Sequence, residues 1–416
     1  MTATTTESVR PARWSRSFSI LYAAGLVDTV GIQVSYLAVP VLAVSVLDAT
    51  PGQVGLLGVL STAAFLVLGL PAGVWVDRAS HRITMVLADL ARAVLFASVP
   101  VAWWMGLLTI GQLYAVVLLA GVGTVFFDVA AQSYLPSVVG RDRLVAANSL
   151  LMGTAATVQI AGRGLGGFLV QAIGAPVAVV LNALTHLAAA GLLGLIRPTA
   201  APPARPHAAG GFAGQLGAGV RHVSGHPLLR PLALSTGMIN LTVQMMTIMI
   251  PVLFLRDLGL DATALGVFFG VGGVGALLGA LTARPLADRI GLGRALWVPG
   301  AVVAPLGALI PMAAGTGPRL WLAGVAWLAI AWRTGIGNVV GVSLRQRSTP
   351  DAMLGRMNAT FRFLLTGALA LGSAVAGLLG ELTTVRTALW VGAAGAALTW
   401  VPIFCSRLRH HREAGP

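Results

Sequence analysis

The sequence predicts an all-α membrane protein: twelve transmembrane helices in two six-helix, pseudo-symmetric halves. Three observations carry this. Hydrophobic residues make up 56% of the 416 residues and charged residues only 10%, with a mean hydropathy of +0.86. A soluble domain carries about 25% charged residues and could not cover its surface with so few. The chain also divides into twelve apolar runs, each close to the roughly 20 residues a helix needs to cross a bilayer. Finally, short polar landmarks recur after 210 or 211 residues. The same composition excludes disorder, and 52 glycines without a period of three exclude collagen. No ten-residue alternation of a closed barrel is present, so helices are the expected spanning elements.

In chain order, a polar tail (1–17) leads into a first run (18–46) too long for a signal-peptide core and expected to stay uncleaved. The next runs are 53–76, 83–104, 109–132, 146–171 and 175–196, which complete an N-terminal bundle over 18–196. A polar linker follows at 197–230. Its Pro/Ala-rich start, Pro198 to Pro206, reads as a spacer. Phe212 to Arg221 reads as a short amphipathic helix on the inner surface. The C-terminal bundle, 231–406, contains runs 231–255, 263–284, 293–314, 320–343, 358–380 and 386–405, and a tail (407–416) closes the chain.

All 27 basic residues are arginine, and the net charge is +14. With the N-terminus inside, 20 arginines fall on the inner side, three on the outer side (Arg256, Arg319, Arg386) and four within runs. That asymmetry places both termini in the cytoplasm. The clusters are short and interrupted, so no basic domain for nucleic acid arises. Trp14, Trp103, Trp104 and Trp321 near run ends fit interfacial anchors. The single cysteine, Cys405, excludes an internal disulfide and a multi-cysteine metal site, and no metal is expected. Metalloprotease and P-loop motifs are absent. Gly270, Gly272, Gly273 and Gly275 lie inside an apolar run and fit helix packing.

The repeat pairs Asp77-Arg78 with Asp288-Arg289, 211 residues apart, and Leu144/Asn148 with Leu354/Asn358, 210 apart. Each half places a proline upstream in the latter loop, Pro136 and Pro350. The stretch Gly73-Val-Trp-Val-Asp77-Arg78-Ala-Ser-His-Arg82 resembles the loop between spans two and three of the major facilitator superfamily, with His81 in place of one arginine. The segments Tyr134 to Asn148 and Arg345 to Asn358 resemble its macrolide-efflux and siderophore-exporter branch. The resemblance covers about residues 16–406. It implies a secondary transporter of the bacterial inner membrane, not an enzyme. Such a protein exports a drug, siderophore or secondary metabolite by proton antiport, and drug export would confer antibiotic resistance. It works with no cofactor beyond the proton gradient, as a monomer whose partners are lipid, substrate and protons. One departure stands out: Gly162-Arg163-Gly164-Leu165-Gly166-Gly167 has arginine where drug exporters of this type carry proline. A non-transporting sensor or scaffold, and an importer, stay open as alternatives.

By the same resemblance, spans one, four, seven and ten line a central cavity. Ionisable groups inside spans are costly and therefore candidates for function. Asp28 is the first candidate for proton coupling, or else a structural partner of an arginine; Asp128 is the second, and near the inner end of span four it could simply meet headgroup water. Asp89 and Arg92, at i and i+3, are expected to pair. Arg333 and Arg163 suit an anionic substrate group, because the guanidinium fork matches carboxylate or catecholate oxygens; an interhelical bond to Asp28 or Asp128 is the other option. Arg362 is expected to snorkel to the inner surface. Gln33 and Tyr36 share a face of span one, Asn240 and Gln244 a face of span seven, and Asn338 lies in span ten; these form the candidate substrate surface. Met238, Met245, Met246 and Met249 offer an adaptable lining. Gly73, Asp77, Arg78 and Arg82 are, by resemblance, a conformational latch, with Asp77 placed to cap span three.

Overall fold

The computed structural model describes residues 14–69, 71–196 and 212–411. The spacer Pro198 to Pro206, most of the N-terminal tail and the last five residues lie outside the described residues. The helices are α1 (Arg16–Ser45), α2 (Pro51–Leu68), α3 (Pro71–Asp77), α4 (His81–Trp104), α5 (Ile110–Val139), α6 (Leu144–Ile173), α7 (Ala175–Gly194), α8 (Phe212–Gly225), α9 (Leu229–Val252), α10 (Ala262–Ile290), α11 (Leu292–Val303), α12 (Pro318–Arg347), α13 (Asp351–Leu382), α14 (Val385–Leu398) and α15 (Val401–Phe404). Among the described residues, eleven segments are long and apolar enough to cross a membrane. The twelfth membrane-length helix is α6, with 30 residues, made more polar by Asn148, Gln159, Arg163 and Gln171.

Helix starts follow their capping residues. The Ser15, Thr50, Thr109, Asp261 and Thr384 side chains each accept a backbone N–H from the first turn of α1, α2, α5, α10 and α14. Thr50 and Gln53 form a reciprocal capping box, with Pro51 at the first helical position. Three expected runs differ. The run 53–76 is two helices: α2 ends at Leu68 and α3 starts at Pro71, a proline at a first helical position, where its missing N–H is not needed. The run 293–314 stops as α-helix at Val303 and continues as a 3-10 turn, Ala304–Leu309, which carries Pro305. The run 109–132 continues to Val139, so Pro136 is inside α5 rather than in the following loop; Pro350 is the residue before α13, as the repeat suggested.

Packing separates the two ends of the bundle. The halves meet mainly where α2 lies on α13 and α6 on α10. A Cβ on Gly55 would sit 2.5 Å from the Gly377 Cα, and a Cβ on Gly167 2.5 Å from the Gly266 Cα, so only glycine permits this backbone approach. Both contacts are toward the end remote from the termini. Three polar clamps join the halves there. Glu381 Oε2 accepts from the Gly52 N–H at 2.9 Å, Arg256 Nη2 donates to the Ala49 carbonyl at 2.8 Å, and Gln171 Oε1 accepts from the Ala262 N–H at 3.2 Å. One continuous apolar core covers this end, from Val34–Val44 of α1 to Met245–Phe254 and Phe268–Phe269 of the second half. At the end carrying the termini the core divides. Phe18, Leu21, Met85 and Phe127 pack only within the first half, and Leu229, Leu296, Val340 and Phe361 only within the second. The bundle is sealed at one end and parted at the other. Helix α8 packs along α13, where a Cβ on Gly219 would lie 2.8 Å from the Arg356 carbonyl oxygen, and Val223 is buried.

Candidate functional site

Four charged or titratable side chains meet inside the first half. Asp28 comes from α1, Asp89 and Arg92 from α4, and His186 from α7; all are 6% exposed or less. Arg92 Nη1 lies 3.4 Å from Asp28 Oδ2, and Nη2 is in contact with Asp89 Oδ1. His186 Nδ1 approaches Asp28 Oδ1 at 2.5 Å and Asp89 Oδ1 at 3.4 Å. Phe96 stacks on His186 at 5.7 Å, and Arg92 lies over the Phe127 ring at 4.8 Å. The expected Asp89–Arg92 pair is present, enlarged by Asp28 and His186. With both carboxylates ionised and the imidazole neutral, the cluster carries one net negative charge. One added proton neutralises it, which removes the cost of burying an uncompensated charge. Asp28, Asp89 and His186 also have metal-ligand character, their ligating atoms lying within 4.8 Å of one another. The Arg92 guanidinium already occupies the electropositive position between the carboxylates, so a divalent cation would have to displace it.

The cluster borders a cavity of about 310 Å³ in the middle of the bundle. Arg92 and His186 form part of its wall. Tyr36, Phe96, Thr124 and Asn182 continue it in the first half, and Gln244, Ile248 and Phe269 close it from the second. Of the sequence candidates, Tyr36 and Gln244 line it. Gln244 Nε2 donates to Ser373 Oγ at 3.1 Å, which ties α9 to α13. Gln33 is buried beside Gly162, its Oε1 without a partner. Arg163 stacks on Tyr36 at 4.5 Å, with a buried Nε that has no partner, and forms no bond to Asp28 or Asp128. The expectation for the methionines needs correction. Met245, Met246 and Met249 are 0–1% exposed in the core of the sealed end, because α9 turns its other face, with Gln244, Thr247 and Ile248, to the cavity.

A smaller cleft of about 90 Å³ lies in the second half, lined by Asn240, Arg333 and Asn338 among others. Thus the sequence candidates divide between two places. Asp128 stands apart from the cluster: its Oδ2 is 3.8 Å from Arg362 Nη2, both side chains are nearly half exposed, and Arg362 also lies over Phe65 at 4.2 Å. Arg362 therefore pairs across the two halves. Among the latch candidates, Gly73 lies in α3 with open space around it, and Arg78 is exposed. Arg82 donates through Nε to the Leu193 carbonyl at 3.0 Å and through Nη2 to the Gly194 carbonyl, closing the end of α7. Asp77 is the last residue of α3, and Ser80 rather than Asp77 takes the position before α4.

A family model described as transmembrane secretion effector matches residues 7–415. The chain belongs to this family of the major facilitator superfamily. It is similar to the enterobactin exporter EntS of Escherichia coli K12, 28% identical over 413 residues, covering 96% of this chain and 94% of the relative. Among solved structures it resembles the nucleoside transporter NupG (D323A mutant) at TM-score 0.77 and 11% identity, covering 94% and 99% of the two chains. It also resembles a bacterial homologue of the iron transporter ferroportin in an inward-facing state, at TM-score 0.75 and 18% identity, covering 94% and 98%. The outward-facing state of such a homologue scores 0.61, covering 94% and 99%. These likenesses give the major facilitator fold. This member of the secretion-effector family is a multi-pass membrane transporter and not an enzyme.

Sequence reasoning missed His186 in this transporter. The residue sits in a run of Ala, Leu and Thr without a local partner, and its partners come from two other helices. The signal available was its position: a lone histidine within an apolar span is as costly as the aspartates that were singled out. Glu381 was also missed, because the eleventh run was ended one residue before it.

Proposed function

We propose that this transporter exports a small organic molecule in exchange for protons, by rocking of its two halves about the central cavity. The carrying observation is that the Asp28–Asp89–Arg92–His186 cluster reaches the wall of that cavity through Arg92 and His186. A change in its protonation alters the charge facing a bound molecule, so proton and substrate occupancy are coupled through one wall. The arginine asymmetry puts the termini in the cytoplasm, and the parted end then faces inward, ready to load substrate from the cell. Similarity to an enterobactin exporter supports outward export and makes siderophores a substrate class to test. The drive is sufficient. One pH unit is worth about 1.4 kcal/mol per proton and 100 mV about 2.3 kcal/mol per charge. Together they hold a gradient of roughly 500-fold if one net charge moves.

The test uses acidified, everted vesicles containing the protein and a pH dye. Addition of catecholate or carboxylate compounds, macrolides or cationic drugs should release protons for at least one class, and Asp28→Asn should remove that release. Release that persists in Asp28→Asn but not in Asp128→Asn would transfer coupling to the Asp128–Arg362 pair. No release with any compound from folded protein would count against antiport.

A further inference from the structure

We propose that the cleft around Arg333 is an anion subsite that takes a carboxylate of the transported molecule, while the apolar body of that molecule lies in the central cavity. The inference rests on the export reading and specifies its substrate class as an amphipathic organic acid.

Arg333 is 6% exposed, in the middle of α12, and its Nε has no partner. No ion pair or hydrogen bond to its guanidinium occurs among the described residues, and no acidic residue lines the cleft. A buried cation without a counter-charge is unfavourable unless something else supplies that charge. The polar neighbours are Ser235, Thr236, Asn240, Thr334 and Asn338. The three hydroxyls already donate to the carbonyls of Thr399, Leu232 and Ile330, and the Asn240 amide donates to the Thr236 carbonyl. The donors left for a ligand are therefore the Arg333 fork, the Asn338 amide and the second N–H of the Asn240 amide. A single positive charge with a planar fork matches a planar monoanion, and a carboxylate accepts two parallel N–H bonds from it.

Size decides how the ligand is divided. The cleft, about 90 Å³, is smaller than the roughly 150 Å³ cavity known to hold benzene. It admits a carboxylate with a carbon or two, but not a ring. The central cavity, about 310 Å³ and mainly apolar, has room for one. The two spaces are neighbours along α9: Asn240 lines the cleft, Gln244 lines the cavity, and four residues of helix separate them by about 6 Å. An arylcarboxylate is long enough to occupy both.

Purified full-length protein in nanodiscs would be titrated calorimetrically with naphthalene-2-carboxylate, its uncharged carboxamide, and formate. The carboxylate should bind at least tenfold tighter than the amide, and tighter than formate. Arg333→Gln should bring carboxylate and amide to equal affinity. Arg333→Lys, which keeps the charge but not the fork, should retain part of the preference. Asn338→Asp adds a carboxylate to the same cleft lining, and should abolish the preference while amide binding persists, which shows intact fold. A preference that survives Arg333→Gln, or none in the native protein, overturns the subsite. Formate binding as tightly as the naphthoate would make it a free-anion site and overturn the substrate assignment. The same variants in everted vesicles separate this inference from the export reading. Proton release by uncharged drugs with no carboxylate preference removes only the subsite. Carboxylate preference without any proton release removes only the antiport.

Discussion

The two halves of the molecule bury charge in opposite ways. In the first half, Arg92 is held by Asp28 and Asp89 with His186 against both carboxylates, so every charge has a partner and the balance can change by one proton. In the second half, Arg333 is as deeply buried but stands in a polar cleft with no carboxylate. The repeat that pairs Asp77-Arg78 with Asp288-Arg289 therefore does not extend to the buried ionisable groups. One half has the chemistry of a variable charge, the other that of a fixed charge awaiting a partner.

The largest expected effect tests the variable charge. Asp28→Asn removes one of the two carboxylates and should abolish substrate-triggered proton release in vesicles, while Asp128→Asn should leave most of it. Loss of release in both variants would mean that the half-exposed Asp128–Arg362 pair belongs to the coupling machinery. Next is a stability contrast. Arg92→Met leaves two buried carboxylates with only the His186 ring between them and should cost about 3–5 kcal/mol in detergent unfolding. Arg333→Met strands no acid, and should stay within about 1 kcal/mol of the native protein or exceed it. Equal losses for the two variants would show that Arg333 has a protein partner after all, and the contrast between halves would collapse.

A moderate effect concerns the sealed end. Gly167→Leu should push α6 from Gly266 and lower the protection of a cysteine placed at Ala262 against a membrane-impermeant maleimide added from outside; unchanged labelling would mean that the seal does not depend on this contact. Smaller still is the Asp128–Arg362 pair, whose loss in Asp128→Asn should cost under about 1 kcal/mol, as half-exposed pairs do. The smallest effect lies at the α8–α9 junction. His226 Nδ1 accepts the Leu228 and Leu229 N–H groups, at 3.2 and 3.4 Å, which requires the unprotonated ring nitrogen. Burial, and then nearby His222, push its pKa below the ordinary 6.5. This contribution is complete above pH 6.5 and is lost as pH falls through the lowered value. His226→Asn should reduce the acid-side loss of thermal stability by about 0.5 kcal/mol, a typical capping value; an unchanged pH profile would remove His226 as its source.

How far the site could be seen in advance depended on the range of each interaction. Asp89 and Arg92 were legible as a pair because three residues of helix set their separation. Asn240 and Gln244 were legible as one face for the same reason, but not as the walls of two different spaces. Asp28 was recognisable as costly, yet its partners on α4 and α7 follow from how three helices meet. The breaks at Pro71 and after Val303 could have been read from prolines already in view. The extension of α5 through Pro136 could not, since a proline in a loop and a proline in a helix end look alike in sequence.

By itself, the sequence determined the membrane class, the number of membrane-length helices and the two-fold repeat. These follow from apolar length and from residue spacing, which act locally along the chain. Only the tertiary structure decided which charges meet. It placed His186 on Asp28, set Arg362 across from Asp128, and left Arg333 alone in its cleft. Distances between helices depend on backbone contacts such as Gly55 on Gly377 and Gly167 on Gly266, where the absence of a side chain on one helix matters only because of the helix it faces. Hydrogen bonds form only when donor and acceptor come within about 3 Å, so the chemistry of the site was fixed by those approaches.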